Sequence, residues 1–361
     1  MTWSKHGKRA VTWAIAAAAL LFVVLVVPIR DRCADPAAAP TAAHVPVSRD
    51  PDGCTLARAS APLRLDVATC AHLTCEPGLA STLAHTRIDV ALGLLALYLL
   101  GTMAWAARWR VLLGLAHIRM PILAVWRVTL EAQAGGVLLP GGVAGDALRI
   151  ARAVERGAPL SLVVGSVLLD RAVGLSTLTT VALVLACVLG EGEVGALVFA
   201  LALVPLGMAC GLALLRTRWV AGRPWLRGGK LGARIKPLVD YVGDARAPGV
   251  IGRALLLSVV VSATQLLVVR GLIFALGGAP SAEKWVYVGT TVMFVVSALP
   301  ALPGGWGTAD AAFVFFMARA GLPAPTALAA LLLFRAFWYS TGLIGAVLLL
   351  ARRIGRTAPP I

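Results

Sequence analysis

The sequence predicts an all-α polytopic membrane protein, built as an inverted-topology repeat with two re-entrant helical hairpins. Three observations carry that prediction. Hydrophobic residues make up 59% of the chain and charged residues 14%, against roughly 25% charged in soluble domains. Apolar runs of about 20 residues, long enough to cross a ~30 Å hydrocarbon core, recur along the chain. The segment Leu139-Pro140-Gly141-Gly142-Val143-Ala144-Gly145-Asp146 returns in outline as Leu302-Pro303-Gly304-Gly305-Trp306-Gly307-Thr308-Ala309-Asp310.

The apolar runs place spans at 11–29, 88–107, 161–190, 194–215, 252–276 and 325–350, and two stretches near 121–155 and 285–320 are broken by Pro-Gly-Gly. Segment 11–29 has a basic flank but exceeds a signal-peptide core in length, and no small-residue cleavage site follows it, so a retained anchor is expected. Lys and Arg in short loops favour the cytoplasm. They concentrate in the tail of 1–29, in the 216–250 loop and in the 351–361 tail, so both termini are expected in the cytoplasm of a bacterial inner membrane. The 30–87 insert balances its charges and reads as external. The remaining units are a first membrane repeat over 88–215 and a second over 251–350. The net charge of +16 therefore reflects topology rather than a nucleic-acid footprint.

Cys33, Cys54, Cys70 and Cys75 all fall in the insert, an even set in an oxidising compartment. Two disulfides are expected, with all three connectivities open. A zinc site has only His44 and His72 nearby and no familiar spacing, so no metal is expected. Cys187 and Cys210 lie in spans and read as small apolar residues.

Crossing parity sets the two broken segments apart. Residues 111–160 must begin and end inside, and 284–322 must begin and end outside. Hairpins with Pro140-Gly141-Gly142 and Pro303-Gly304-Gly305 at their tips, approaching from opposite faces, satisfy both conditions. Non-helical backbone at membrane depth is tolerated only where protein or a watery cavity receives its polar groups. Proline sets φ and removes a donor, and glycine permits a tight reversal. The helix N-terminus after each tip offers free N–H groups to an anion. Paired, broken hydrophobic segments of this kind point to a transporter's binding site.

The echo extends to charges. Arg171 and Arg335 stand at the same offset from Asp146 and Asp310, inside apolar helices. An Arg at mid-bilayer costs about 2.5–3.5 kcal/mol on insertion scales, so each should face a cavity or a partner. They read either as counter-ions to Asp146, Asp310 or Asp170, or as holders of an anionic head group, for which a guanidinium is well shaped. Asp146 and Asp310 are candidate helix caps as well as transport residues. Arg149, Arg152 and Arg156 share a helix face, suited to surface anchoring or to phosphate capture. Gln133 is a polar group in an apolar helix and a candidate for lining the pathway. No hydrolase, metalloprotease or P-loop motif is present and all five histidines lie in loops or near segment ends, so neither catalysis nor a cofactor is expected.

Arg108-Trp109-Arg110, then Gln133 with Leu139-Pro140-Gly141-Gly142-Val143-x-Gly145-Asp146-x-x-Arg149, then Leu168-Leu169-Asp170-Arg171-x-x-Gly174-Leu175, resemble the flippase-like membrane domain of lysylphosphatidylglycerol synthases. Leu302-Pro303-Gly304-Gly305-x-Gly307 and Arg335 fit the same pattern, and the likeness covers roughly 88–350. The resemblance implies translocation of an anionic or aminoacylated phospholipid, or of a related lipid-linked species. The family's best-known members append an aminoacyl-transferase domain; none is read here, so aminoacylation is not expected. The four-cysteine insert is outside the pattern. The expected activity is that of a lipid flippase working by alternating access, with membrane lipid as its partner and a separate synthase or an envelope protein as a further candidate. The alternative is an accessory subunit or enzyme for polyprenyl-phosphate-linked glycan lipids.

Overall fold

The computed structural model describes residues 27–33, 45–50, 53–57, 62–71, 73, 75–115, 117–138, 143–189, 195–216, 239, 241–243, 247–298 and 307–357. The proposed tips Pro140, Gly141, Gly142, Pro303, Gly304 and Gly305 lie outside the described residues, as do 1–26 and most of the 216–250 loop.

The insert forms five short strands: β1 (Arg32–Cys33), β2 (Val45–Asp50), β3 (Gly53–Leu56), β4 (Leu63–Leu65) and β5 (Cys75–Glu76). They make one antiparallel sheet in the order β4-β3-β2-β1-β5. Strands this short cannot bury much apolar surface, and the two expected disulfides staple them. Cys33 and Cys75 face each other across β1 and β5 and are bonded, while Cys54 on β3 is bonded to Cys70 on helix α1 (Val67–Ala71). With sequence separations of 42 and 16, loop-closure entropy places their stabilisation at about 4 and about 3 kcal/mol. A small core of Cys33, Val47, Cys54 and Leu56 lies beneath. The Asp31 carboxylate accepts from Gly78 N–H and Ser81 Oγ, which ties the sheet to helix α2 (Leu79–Ala84).

The rest is an all-α membrane bundle, as expected. Among the described residues four helices are long and apolar enough to cross a membrane: α3 (Ile88–Leu115), α6 (Leu160–Val188), α8 (Ala247–Ala275) and α11 (Ala324–Thr357). Between them come α4 (Ile122–Leu138) and α5 (Val143–Val154), then α7 (Gly195–Arg216), and later α9 (Glu283–Ala298) and α10 (Thr308–Arg319). The broken pairs α4/α5 and α9/α10 each pack against themselves across the break. The two copies interleave: α4 of the first lies on α11 of the second, α9 of the second lies on α6 of the first, and α3 lies along α8. Gly345 permits the α4–α11 approach, because a Cβ there would collide with the Leu130 carbonyl.

One boundary differs from expectation. From the sequence, the 88–107 span ends at Arg108 and Arg110 on the cytoplasmic side. Helix α3 instead continues to Leu115, and Arg108 is buried at 5% exposure. The apolar run Val111-Leu112-Leu113-Gly114-Leu115 carries the helix on, and an arginine inside it has a partner to meet.

Alkylation of denatured, unreduced protein should label two cysteines, Cys187 and Cys210, and all six after reduction. Peptide mapping should recover Cys33–Cys75 and Cys54–Cys70; labelling of any of those four without reductant would contradict the pairing.

Candidate functional site

The polar centre of the bundle is Asp170, midway along α6 and 1% exposed. Arg108 of α3 donates Nε–H to its Oδ1 at 2.6 Å, and Arg149 of α5 donates from Nη1 to Oδ2 at 3.1 Å. Trp105 Nε1–H donates to Oδ2 at 3.2 Å. Arg108 also donates from Nη1 to Ser258 Oγ on α8 at 2.9 Å. Gly174 makes room for this guanidinium, since a Cβ there would lie 2.9 Å from Arg108 Nη1. The Arg149 guanidinium sits 4.4 Å from the Trp105 ring centroid and 5.1 Å from that of Trp109, where the ring quadrupole attracts a cation. One of its donors, Nη2, is buried with no hydrogen-bond partner among the described residues.

The two Asp–Arg pairs of the repeat both form, each 25 residues apart. Arg171 donates Nε–H to Asp146 Oδ2 at 2.7 Å, and Arg335 donates Nε–H to Asp310 Oδ1 at 3.1 Å and Nη2–H to the same oxygen. The pairs differ in setting: the Arg171 side chain is 37% exposed and that of Arg335 6%. Asp310 also accepts from Gly307 N–H at 2.9 Å, capping α10 at a residue whose φ of 84° favours glycine. Across the bundle, Thr341 Oγ1 donates to Gln133 Oε1, and Gln133 Nε2 is buried without a partner among the described residues.

These groups converge on one cavity of 270 Å³ between the two copies. Its polar wall carries Arg108, Gln133, Asp146, Arg149, Asp170, Arg171 and Arg335, and its apolar wall Met293, Phe294, Leu331, Phe334 and Trp338. Asp310 reaches it through Arg335. Four arginines against three aspartates leave the described surroundings with one excess positive charge. Of the expected site residues, Arg152 stands apart: it pairs with Glu131 at 2.8 Å and Glu155 at 3.1 Å and does not line this cavity. Although Arg149 and Arg152 share a helix face, the longer reach of each side chain takes them to different partners.

Arg108 and Trp105 were missed as site residues, and a signal for their neighbours was present. Arg149 and Asp170 stand at the offsets from Asp146 at which the second copy has Phe313 and Phe334 from Asp310. Both phenylalanines lie in the main hydrophobic cluster. A buried ion pair in one copy thus replaces a buried aromatic pair in the other.

The sequence matches the lysylphosphatidylglycerol synthase TM region over residues 78–345, most of the chain. The chain belongs to this family. The matched region begins at Gly78, beside the join of insert and bundle, and ends at Gly345, at the α4–α11 crossing. The lysylphosphatidylglycerol synthase TM region is the membrane-embedded part of those proteins, not their transferase domain, and membership links this chain to membrane-lipid biochemistry. Comparison with curated proteins finds no match.

Arg335→Ala leaves the Asp310 carboxylate buried without its cation and should destabilise the bundle by about 3–5 kcal/mol. Asp310→Ala/Arg335→Ala together should cost less than the sum of the single changes. Arg171→Ala, at a half-exposed pair, should shift thermal unfolding in detergent far less. Equal shifts for Arg171→Ala and Arg335→Ala would contradict the assignment of the second pair as the buried one.

Proposed function

We propose that this protein moves an anionic or phosphate-bearing lipid between the leaflets of the inner membrane, acting as a flippase rather than an enzyme. The observation that carries the reading is the central cavity: amphipathic, net positive in its described surroundings, and holding the two unpartnered buried donors Arg149 Nη2 and Gln133 Nε2. An acceptor-only head group completes such donors, while buried donors left alone cost about 1–3 kcal/mol each. The apolar wall suits the glycerol and first methylenes of a lipid, whose chains stay in the bilayer.

Re-entrant hairpins in opposite senses support an alternating mechanism. At 1.5 Å per residue, α4 and α9 extend about 25 and 24 Å and α5 and α10 about 18 Å each, all short of a ~30 Å core. End-to-end contacts agree with opposed entry. Arg87 N–H donates to Ala275 O at the insert end, where Arg270 of α8 also pairs with Glu283 of α9. At the other end Arg352 of α11 pairs with Glu155 beyond α5. The Lys/Arg bias assigns that second end, with both termini, to the cytoplasm. Rocking of one interleaved copy against the other would then expose the same Asp170 centre to each leaflet in turn.

Reconstituted vesicles test this directly. The wild type should accelerate leaflet transfer of labelled phosphatidylglycerol, and Arg171→Ala or Arg149→Gln should slow it about tenfold, the loss of one charge-assisted bond. Transfer at the protein-free rate by the wild type, or unchanged transfer by both variants, would overturn the proposal.

A further inference from the structure

A second cavity, of 260 Å³, shares no lining residue with the first. It lies among Arg127 on α4, Arg156 just beyond α5 and Arg352 near the end of α11, with Glu131 in its wall. Arginines from three separate elements therefore line one space. Their positions are held by bonds inside the protein. Arg127 donates to Glu131 at 3.3 Å and to the Leu348 carbonyl at 3.2 Å, Arg156 donates to the Arg152 carbonyl at 2.9 Å, and Arg352 donates to Glu155 at 2.9 Å.

The charge is not balanced locally. Glu131, 1% exposed, is shared by Arg127 and Arg152, and Glu155 is shared by Arg152 and Arg352. Among the described residues four arginines, Arg127, Arg152, Arg156 and Arg352, face two carboxylates, an excess of two positive charges around a hollow that solvent can reach past the 44%-exposed Arg127. Arginines serving only as interfacial anchors extend away from the bundle towards water and lipid. These are instead fixed in orientation by bonds to Glu131, Glu155 and the Leu348 and Arg152 carbonyls, with Arg127 and Arg156 still open to solvent, an arrangement in which planar guanidinium forks grip a tetrahedral oxyanion.

We infer that this cavity is a second anion site, taking a phosphate group at the membrane surface where α4 begins and α11 ends. A phosphate carries one to two negative charges, enough to offset the local excess. It bridges α4, the turn after α5 and α11, and so spans both copies of the repeat at one end of the bundle. The site is independent of the flippase reading: it would stand whether or not the central cavity moves lipid. The phosphate belongs either to a lipid head group or to a free phosphate, and the two are separable.

The test uses the full chain, delipidated in a maltoside detergent and titrated with phosphatidylglycerol or with inorganic phosphate, bound species being counted by native mass spectrometry. The wild type should retain phosphatidylglycerol at two positions, and Arg171→Ala should keep the one described here. Arg156→Gln and Arg352→Gln should each weaken this site about tenfold and leave the other unchanged. Retention of lipid in excess inorganic phosphate identifies the head group as the ligand; displacement with matching phosphate uptake identifies free phosphate. Arg156 is exposed, so Arg156→Gln decides the matter even if Arg352→Gln unfolds. Wild-type affinity for both probes in Arg156→Gln overturns the inference, as does failure of Arg171→Ala to take up either probe.

Discussion

Two guanidiniums and one carboxylate share the interior of an apolar bundle at Arg108, Arg149 and Asp170, and much of the surrounding structure exists to make that tolerable. Removing each ion from water carries a penalty of several kcal/mol, which Coulomb attraction offsets only where the geometry is good and the remaining donors are satisfied. The bundle meets those terms in part, from four helices, and leaves Arg149 Nη2 open among the described residues. Helix α6 supplies the carboxylate, α3 and α5 the guanidiniums, and α8 the Ser258 hydroxyl. Gly174 leaves the space, and the Trp105 and Trp109 faces receive the second cation where no further oxygen reaches it. The arrangement is not chiefly a stabilising one, because apolar side chains of similar volume would hold the bundle at least as well. Its retention in one copy, where the other copy packs Phe313 and Phe334, points to use rather than to folding.

That difference between the copies gives the protein its polarity. A strict repeat would line the inter-copy cavity with like chemistry on both sides. Here the first copy contributes the ion cluster, and the second contributes an aromatic and aliphatic wall with a single buried Asp310–Arg335 pair. An amphiphile sees a charged face and a greasy face across one hollow. The Arg171–Asp146 pair sits on the charged side, half open to the cavity. On the proposed reading an incoming anion takes the Arg171 cation in place of the Asp146 carboxylate, one charge-assisted bond exchanged for another. The Arg335–Asp310 pair is by contrast buried, and its carboxylate caps α10 at Gly307.

Much of this was legible in the sequence, because the features concerned are local or repeated. Apolar length gives α3, α6, α8 and α11, and the equal Asp-to-Arg offsets mark Arg171 and Arg335 as cations inside apolar helices. Their partners stay open among Asp146, Asp170, Asp310 and a head group until the geometry pairs them with Asp146 and Asp310. The cysteines marked the stapled insert. What escaped has a physical reason in each case. The disulfide connectivity depends on strand register, which places Cys33 opposite Cys75, and no spacing rule encodes that register. The sheet itself is built of strands too short for a two-residue periodicity to stand out. Arg108 was read as an anchor because a basic residue near the end of an apolar run looks the same whether it meets phosphate outside or Asp170 inside. Arg152 was grouped with Arg149 by helix face, but a long side chain chooses its partner by reach, and Glu131 was the nearer acid.

The central claim is that an anionic head group completes the donors around Asp170. The most direct measurement is a high-resolution structure of the full chain in nanodiscs containing phosphatidylglycerol. The account predicts tetrahedral density in the central cavity within hydrogen-bonding distance of Arg149 Nη2 and Gln133 Nε2, with Arg171 swung from Asp146 towards it. Lipid density confined to the outer belt, with only water against those two donors, would contradict it.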